Sequence, residues 1–333
     1  MKLSMDTVSY AGYFTDGQSI PIEEAMERAA KFGFDAIDVF AHRPMGFPMD
    51  LDADRRKKIV DQAVRLELDL ACVECCTNYM RGNHVLTFPQ EKEILYTREA
   101  IQLAADLGIP TVRILAGFIG YFMNPLAQTG YGNPAFESRS RRVSQNKDWL
   151  EQWHAVRDAL REVALMARDA GIVLALQTHP EITCNNEETL EMLDEVGVDS
   201  LKVGVDLPLF ESQDPEFIRG TVHSMKGLMV HSHSISIINK HTVGGAVFGW
   251  DEVPPGSEKD TCNWEVFLQA CKDIGYDGYM AHEQCSPIIV KGHRVAGLDE
   301  VDKRNQWACD FFMNLLRKLD YYSGKRNPAQ GAD

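Results

Sequence analysis

Two alternating patterns of apolar residues run along the chain, and their order predicts the fold. Short runs rich in apolar and β-branched residues predict strands, and apolar residues spaced three or four positions apart predict helices. Eight strands are predicted, near 2–9, 35–40, 68–74, 111–116, 172–178, 201–206, 227–233 and 278–283. Eight helices are predicted, near 22–32, 52–66, 89–107, 147–170, 186–196, 214–224, 263–274 and 300–319. Strict alternation of this kind favours parallel β/α units.

Residues typical of helix ends support this assignment. Asp214 precedes Pro215, as an N-cap followed by proline at the first helical position does. Five glycines follow a predicted helix and precede a strand, as capping glycines do: Gly33, Gly108, Gly171, Gly197 and Gly275. An open doubly wound sheet is the alternative, but it usually has fewer units and often a glycine-rich phosphate loop after its first strand. No such loop follows the first strand here, so a single (β/α)8 barrel over residues 1–322 is favoured.

Three predicted connections are long, and the topology places them on the catalytic face of the barrel. They cover residues 117–146, 234–262 and 284–299. Loops of this length in compact domains are usually lids, binding loops or partner surfaces. The first is rich in aromatic residues and asparagine, which suits a flat or ring-shaped ligand or a protein neighbour, although it could instead form a small apolar cluster of its own. The polar tail, 323–333, is expected to be flexible or to contact a partner.

Composition narrows the class of protein. The chain has 333 residues, 44% of them hydrophobic, which suits one large domain. A formal net charge of −15 argues against a nucleic-acid partner, since phosphates require clusters of lysine and arginine. No apolar run is long enough to span a membrane, and the N-terminus lacks a secretory segment, so we expect a cytoplasmic protein. Its eight cysteines then fit as reduced thiols.

Four of the predicted strands end in polar residues that can bind a metal. These are Gln177, Asp206, the pair His231 and His233, and Glu283. The carboxyl ends of parallel strands converge in a barrel and carry its chemistry, so we expect these side chains at one mouth. Their oxygen and nitrogen donors suit one divalent ion, Mn²⁺, Mg²⁺, Co²⁺ or Zn²⁺. The alternative for Gln177 is a hydrogen-bonded amide at the rim of the core.

The two histidines of the seventh strand are not expected to bind the same ion. His231 and His233 lie on one side of the strand, about 7 Å apart. One is therefore the predicted ligand, and the other faces the substrate or supports the ligand. The residues alone do not decide between them.

Two further inward-facing residues are candidates for contact with the substrate. His179 follows Gln177 by two positions and could act as a general base or bind a hydroxyl group, or it could be a rim histidine bonded to the backbone. Arg113 points inward if the alternation of its strand holds. It would then bind a substrate oxygen or pair with a core acid such as Asp38.

These motifs resemble those of the xylose-isomerase-like TIM barrels, the sugar (phosphate) isomerase/epimerase superfamily. Residues 174–179 (Leu-Ala-Leu-Gln-Thr-His) resemble the strand-5 segment of that family, which ends Glu-Asn-His. Gln177 occupies the position of the usual ligand Glu, while Asp206 and Glu283 match the strand-6 and strand-8 ligands. In the strand-7 motif the second histidine is often the ligand, which implies His233 here and leaves His231 as a candidate catalytic group.

The resemblance implies deprotonation next to a metal-bound carbonyl of a sugar-like substrate, with Mn²⁺ as the first choice of ion. Epimerases of this type are often thought to exchange protons through two carboxylates, and Gln177 cannot accept a proton. The pattern is similar to the metal-bearing subunit of bacterial C-glycoside deglycosidases. That similarity implies a lyase that cleaves a 3-keto C-glycoside by β-elimination together with a smaller β-rich subunit. The alternatives are a ketose 3-epimerase or related sugar isomerase, an inosose-type dehydratase, or a catalytically lapsed sugar-binding subunit.

Overall fold

Eight parallel strands close into a barrel in the predicted order. The computed structural model describes residues 1–81, 89–117, 149–179, 182–235, 237–239, 242–243, 246–247 and 250–325. Barrel strands β1 to β8 are Lys2–Asp6, Ala36–Phe40, Asp69–Glu74, Thr111–Leu115, Val173–Gln177, Leu201–Asp206, Met229–Ser234 and Tyr279–His282. Each strand pairs in parallel with its neighbours, and β1 pairs with both β2 and β8. The predicted (β/α)8 barrel is confirmed.

The helices that follow the strands lie within two residues of their predicted bounds. In the described part of the chain, α1 to α8 are Ile22–Phe32, Ala53–Arg65, Pro89–Leu107, Trp149–Asp169, Asn186–Val196, Pro215–Ser224, Trp264–Asp273 and Leu298–Lys318. The Asp214 side chain accepts hydrogen bonds from the backbone N–H groups of Glu216 and Phe217, as an N-cap does. The five predicted capping glycines all have positive φ. Gly33, which follows α1, has φ of 97°, a conformation that residues with a side chain rarely adopt.

The first strand is shorter than predicted. It ends at Asp6, and Thr7–Tyr10 forms a 3-10 turn whose residues are all buried. Burial of this turn, with its β-branched residues Thr7 and Val8, explains why the sequence pattern resembles a continued strand. Asp6 caps the turn, since one of its carboxylate oxygens accepts a hydrogen bond from the Val8 N–H at 2.8 Å. The shorter strand places the Asp6 carboxylate at a strand end, where the barrel opens.

Two of the three long connections contain short antiparallel strands. After β7, Ile237–Asn239 pairs with Trp250–Glu252, and Thr242–Val243 pairs with Ala246–Val247. After β8, Ile289–Val290 pairs with Arg294–Val295. Except for residue 117, the predicted loop 117–146 lies outside the described residues, as does the tail from 326 onward. None of the described helices combines the length and apolarity that a bilayer span requires.

The barrel interior is polar toward its C-terminal end. TIM barrels are usually filled by layers of branched apolar side chains. Here seven side chains, each at most 3% exposed, put charge or hydrogen-bonding groups inside the barrel: Ser4, Asp6, Asp38, Glu74, Arg113, His231 and His233. The apolar core lies instead between the barrel wall and the helices. Because unpaired buried charge is costly, this arrangement points to a site that needs these groups.

Candidate active site

A cavity of about 700 Å³ opens at the C-terminal mouth of the barrel. Five residues singled out in the sequence line it: Arg113, Gln177, His179, Asp206 and Glu283. They come from strands β4, β5 and β6 or from the segments directly after β5 and β8. A concave site of this size fits a small-molecule substrate. The convergence expected from parallel strand ends is therefore present.

Glu283 lines the floor of the cavity, and the buried His233 contacts its carboxylate. Nδ1 of His233 lies 2.9 Å from Oε2 of Glu283. Ligand atoms of Asp6, His233 and Glu283 all lie within 4.8 Å of one another, the spacing of a shared coordination sphere. The second carboxylate oxygen of Asp6 is buried and has no hydrogen-bond partner among the described residues. Asp6 therefore joins the two predicted ligands as a third candidate.

Gln177 and Asp206 lie beside this cluster. The Gln177 amide donates to Oδ2 of Asp206 at 3.3 Å, while Oδ1 of Asp206 is buried and lacks a partner in the described structure. Asp206 also pairs in register with His233 across strands β6 and β7. All four predicted ligands, Gln177, Asp206, His233 and Glu283, thus face one mouth, in two contacting pairs. Their roles as ligands stay predictions.

The pKa values within the cluster differ because the partners of each group differ. Burial raises the pKa of Asp206 to about 7. Burial would also raise the pKa of Glu283, but the positive charges of His233 and Arg113 outweigh it and lower that pKa to about 2. Burial opposes the charged form of His233, yet Glu74 and Glu283 raise its pKa well above the usual value. The floor thus holds an ionised Glu283 beside a charged imidazole.

The donor set fits a divalent cation. With every carboxyl ionised and both histidines protonated, five acids exceed three basic side chains by two negative charges: Asp6, Asp38, Glu74, Asp206 and Glu283 against Arg113, His231 and His233. Burial raises the pKa values of Asp6, Asp38 and Asp206, so the charged forms of these three need a nearby positive charge. A dication would balance this excess, and it would satisfy the unpartnered oxygens of Asp6 and Asp206. Carboxylate, amide and imidazole donors suit Mn²⁺, Mg²⁺, Co²⁺ or Zn²⁺.

His231 lies in a deeper layer than His233. It pairs in register with Gly204, two positions before Asp206, the partner of His233. Its Nε2 atom is 2.8 Å from Oδ2 of Asp38 and 3.3 Å from Oε1 of Glu74, and neither histidine lines the cavity. With a side chain 2% exposed, it contacts the groups beneath the floor. Its predicted catalytic role therefore has to act through Glu74, which also contacts His233.

Arg113 lines the cavity and is held by two acids. Its guanidinium pairs with Glu74, and its Nη2 atom lies 3.8 Å from Oε1 of Glu283. Asp38, the acid suggested as its partner from the sequence, pairs with His231 instead. The two acids raise the pKa of Arg113 although burial opposes this, so the side chain remains charged. It can therefore fix Glu74 and still face a substrate oxygen.

His179 lies directly after β5 and lines the cavity. Its backbone N–H donates to the Thr183 carbonyl oxygen at 3.0 Å, which fixes the turn that carries it. The residue is 8% exposed, so its ring is within reach of the cavity and shielded from bulk water. The predicted role as a base is compatible with this position and stays a prediction.

Sequence reasoning did not single out three acids of the site. Asp6 was not recognised as a strand-end residue because the first strand was predicted to continue to residue 9. Glu74 is the last residue of β3 and ends a strand in the same way as Gln177 and Asp206, so the strand-end rule could have found it. Asp38 appeared only as a partner for Arg113, because it lies within β2 and not at its end.

Comparison with known proteins agrees with this architecture. The family model described as xylose isomerase-like TIM barrel matches residues 26–304. The chain belongs to this family. A search of curated proteins found no match.

Solved structures with the same fold include sugar epimerases, a dehydratase and a zinc-binding protein. A D-psicose 3-epimerase with D-tagatose from Clostridium cellulolyticum H10 is 16% identical, with a TM-score of 0.66 over 95% of this chain and 99% of that chain. The IolI protein with a bound zinc atom is 15% identical, with a TM-score of 0.68 over 97% and 100%. The probable 3-DHS dehydratase AsbF from Bacillus anthracis is 17% identical, with a TM-score of 0.65 over 94% and 99%. At such identities the likeness shows the fold alone.

Proposed function

We propose that this family member is a divalent-metal-dependent carbohydrate enzyme that removes a proton next to a carbonyl group. We further propose that it cleaves a 3-keto C-glycoside by β-elimination. The observation that supports β-elimination is that one part of the cavity wall is polar and another part is apolar. Polar, metal-capable side chains form one part, and aromatic and aliphatic side chains form much of the rest: Val8, Tyr13, Phe14, Phe40, Leu115, Leu209, Ile235 and Pro287. An aromatic aglycone attached to the sugar would pack against this apolar wall.

The aromatic residues of this wall are arranged for a flat group. Tyr13 and Phe40 pack edge to face with ring centroids 6.0 Å apart, and Phe40 lies 4.6 Å from the ring of His42. Tyr13 is 57% exposed, so its ring is accessible at the cavity entrance. Aromatic rings stack favourably on other aromatic rings. An aromatic aglycone attached to the sugar fits this wall.

The polar residues of the cavity can supply the chemistry that removes a proton next to the carbonyl group. A divalent ion held by Asp206, His233 and Glu283, with Gln177 or Asp6 beside them, would polarise the substrate carbonyl when bound. Arg113 adds a permanent positive charge for the carbonyl oxygen. His179, which lines the cavity, would accept the proton from the carbon next to the carbonyl.

Elimination follows from the same deprotonation. When the C–H bond α to the carbonyl breaks, its electron pair forms a carbon–carbon double bond and the bond to the group at the β carbon breaks. Gln177 supports this outcome over epimerisation, because an amide cannot return a proton to the opposite face of the sugar. A single base, His179, is sufficient for elimination.

A 3-epimerase is the second candidate. It is favoured by the several sugar epimerases among the structural neighbours. A dehydratase of the inosose type would use the same deprotonation with hydroxide as the leaving group. The remaining alternative is a sugar-binding subunit that has lost catalytic activity, with Gln177 in place of the catalytic acid.

One NMR experiment separates these functions. The purified protein, with and without added Mn²⁺, is incubated in D₂O with a 3-keto glucoside that carries a C-linked aromatic aglycone. Metal-dependent release of free aglycone supports the lyase, whereas deuterium exchange at a sugar carbon without release supports the epimerase. A protein that binds no metal and gives neither result is a lapsed subunit.

The proposed lyase also includes a smaller β-rich partner subunit. The surface proposed for it is the cavity mouth, where Glu252 and Pro287 of the connections after β7 and β8 lie. Expression of the chain together with its genomic neighbours tests this part: a small protein should co-purify in a fixed ratio and raise the rate of aglycone release. Full lyase activity of the chain by itself would contradict it.

A further inference from the structure

Glu252 is an acid of the cavity that the chemistry above does not use. It is the last residue of the short strand Trp250–Glu252, which pairs with Ile237–Asn239 in the connection after β7. It lines the same cavity as His179 and Glu283. Its Oε2 atom is buried and makes no hydrogen bond to any residue that the structure describes. A buried carboxyl oxygen without a partner needs an explanation.

The surroundings of Glu252 favour the neutral acid. Burial raises its pKa well above the usual value, and the negative charge of Glu283 adds to this. The charge of Arg304 and hydrogen bonds from the Gln284 side chain and the Ser286 backbone oppose the shift without cancelling it. A carboxyl group that stays protonated at neutral pH can donate a proton to a bound substrate.

Glu252 and the candidate base enter the cavity from different segments of the chain. Strands β7, β8 and β1 are consecutive in the barrel wall, and the segments after them contribute Glu252, Pro287 and Phe14 to the cavity. His179 follows β5, on another part of the wall. Apolar side chains line both parts of the wall, because Leu115 and Leu209 belong to the strands or segments on either side of β5. Glu252 is therefore a second titratable group of the same cavity, separate from the base.

We propose that Glu252 is the general acid that protonates the leaving group as the bond between sugar and aglycone breaks. The inference rests on the proposed β-elimination. His179 takes the proton from the carbon α to the carbonyl, that electron pair forms the double bond, and the β carbon loses the aglycone. The electron pair of the broken bond takes the proton of the Glu252 carboxyl. A proton passes from the charged His179 back to Glu252 through solvent after the products leave, so no other reactant is consumed.

The test compares two leaving groups in Glu252→Gln. The first substrate is a 3-keto glucoside with a C-linked aromatic aglycone, whose leaving carbon must gain a proton. The second is the 3-keto glucoside of 2,4-dinitrophenol, which leaves as a stable anion. We expect a loss of about 10²- to 10³-fold on the first substrate and little change on the second, because general acid catalysis contributes factors of this order only where a proton is needed. Glu258→Gln, an exposed acid of the same connection, is the matched control.

Each other result has a distinct meaning. An equal loss on both substrates makes Glu252 a structural or positioning residue, and no loss on either removes it from the reaction, so both overturn the inference while the lyase function stands. Wild-type protein that cleaves neither substrate, even together with the small protein that co-purifies with it, overturns the lyase function and the inference with it. Glutamine keeps the size of the side chain, and unchanged melting temperature and Mn²⁺ affinity in Glu252→Gln show that the fold and the ion site are intact.

Discussion

Nε2 of His233 lies 3.1 Å from Oε1 of Glu74. The opposite nitrogen of the same ring faces Glu283 at the cavity floor, so the imidazole is held between a deep acid and an acid at the surface of the site. Glu74 is itself fixed by its ion pair with Arg113. A carboxylate on the far side of a histidine is a common way to fix the orientation of a metal ligand. Glu74 therefore orients His233.

Replacing Glu74 should weaken metal binding although Glu74 need not touch the ion. In Glu74→Gln we expect Mn²⁺ affinity to fall about 10- to 100-fold, the usual effect of losing the partner of a ligating histidine. Calorimetric titration measures it, with the exposed Glu216→Gln as control. The single substitution also leaves the buried charge of Arg113 without its partner Glu74, which could unfold the protein. The double variant Glu74→Gln/Arg113→Met removes that charge, so weak Mn²⁺ binding by the folded double variant is due to the lost orientation of His233. Wild-type affinity in the folded single variant would contradict the orienting role.

Restoring an acid at position 177 should tighten metal binding. Gln177 donates to Asp206 at 3.3 Å, so a carboxylate there places two acids side by side and gives a cation one more charged ligand. We expect Gln177→Glu to bind Mn²⁺ about tenfold more tightly, since ligand charge sets the affinity of such sites. We also expect faster exchange of a sugar proton in D₂O, because a second base is present. Gln177→Ala is the companion variant, and equal affinity in all three proteins would exclude position 177 from the site.

Much of the architecture could be predicted from the sequence because the signals are local. Helix caps such as Asp214 and glycines such as Gly33 act within one turn, and the apolar period of each helix reports its own buried face. The convergence of Gln177, Asp206, His233 and Glu283 was also predictable, since it needs only strand ends and closure of the barrel. Each of these inferences depends on residues close together in the chain or on one topological rule.

The rest of the site depends on contacts between distant segments. Glu74 contacts His233 across 159 positions of sequence, and no local pattern connects them. The position of Asp6 depends on where β1 ends, and the buried turn Thr7–Tyr10 resembles a continuing strand in the sequence. Glu252 lies at the end of a short strand after a long connection, where periodicity gives little information. Partners of this kind become visible only when the barrel is assembled.

Asp6 and Asp206 can be compared directly as metal ligands. Asp206 belongs to the ligand set predicted from the sequence, whereas Asp6 belongs to the cluster in the structure. We expect Asp206→Asn to lose stoichiometric Mn²⁺, measured by metal analysis after gel filtration. Asp6→Asn should keep its turn cap, because the asparagine oxygen can accept from Val8, yet it should bind Mn²⁺ about tenfold more weakly through the loss of charge. Undiminished Mn²⁺ binding by Asp6→Asn would exclude Asp6 as a ligand and leave the four ligands predicted from the sequence.

His42 should make the protein less stable in mild acid. Burial, with a smaller effect of the Arg113 charge, lowers its pKa from 6.5 to about 4. Its Nε2 atom lies 3.2 Å from the Tyr96 hydroxyl and accepts a hydrogen bond from the Cys76 N–H at 3.3 Å, and a proton on that nitrogen would break the bond from Cys76. Below pH 6.5 the His42 side chain binds a proton in the unfolded chain but not in the folded protein. The free energy of unfolding therefore falls as the pH is lowered, until about pH 4.

His42→Gln should remove this part of the acid sensitivity. Glutamine can accept the same hydrogen bonds and does not titrate. Between pH 7 and pH 5 we expect the free energy of unfolding of wild type to fall by about 1–2 kcal/mol more than that of His42→Gln, a range reduced for the partial exposure of the ring. Urea unfolding at both pH values measures the difference, and His154→Gln, an exposed histidine on α4, should behave as wild type. Parallel pH dependence in wild type and His42→Gln would show that His42 already binds a proton in the folded protein.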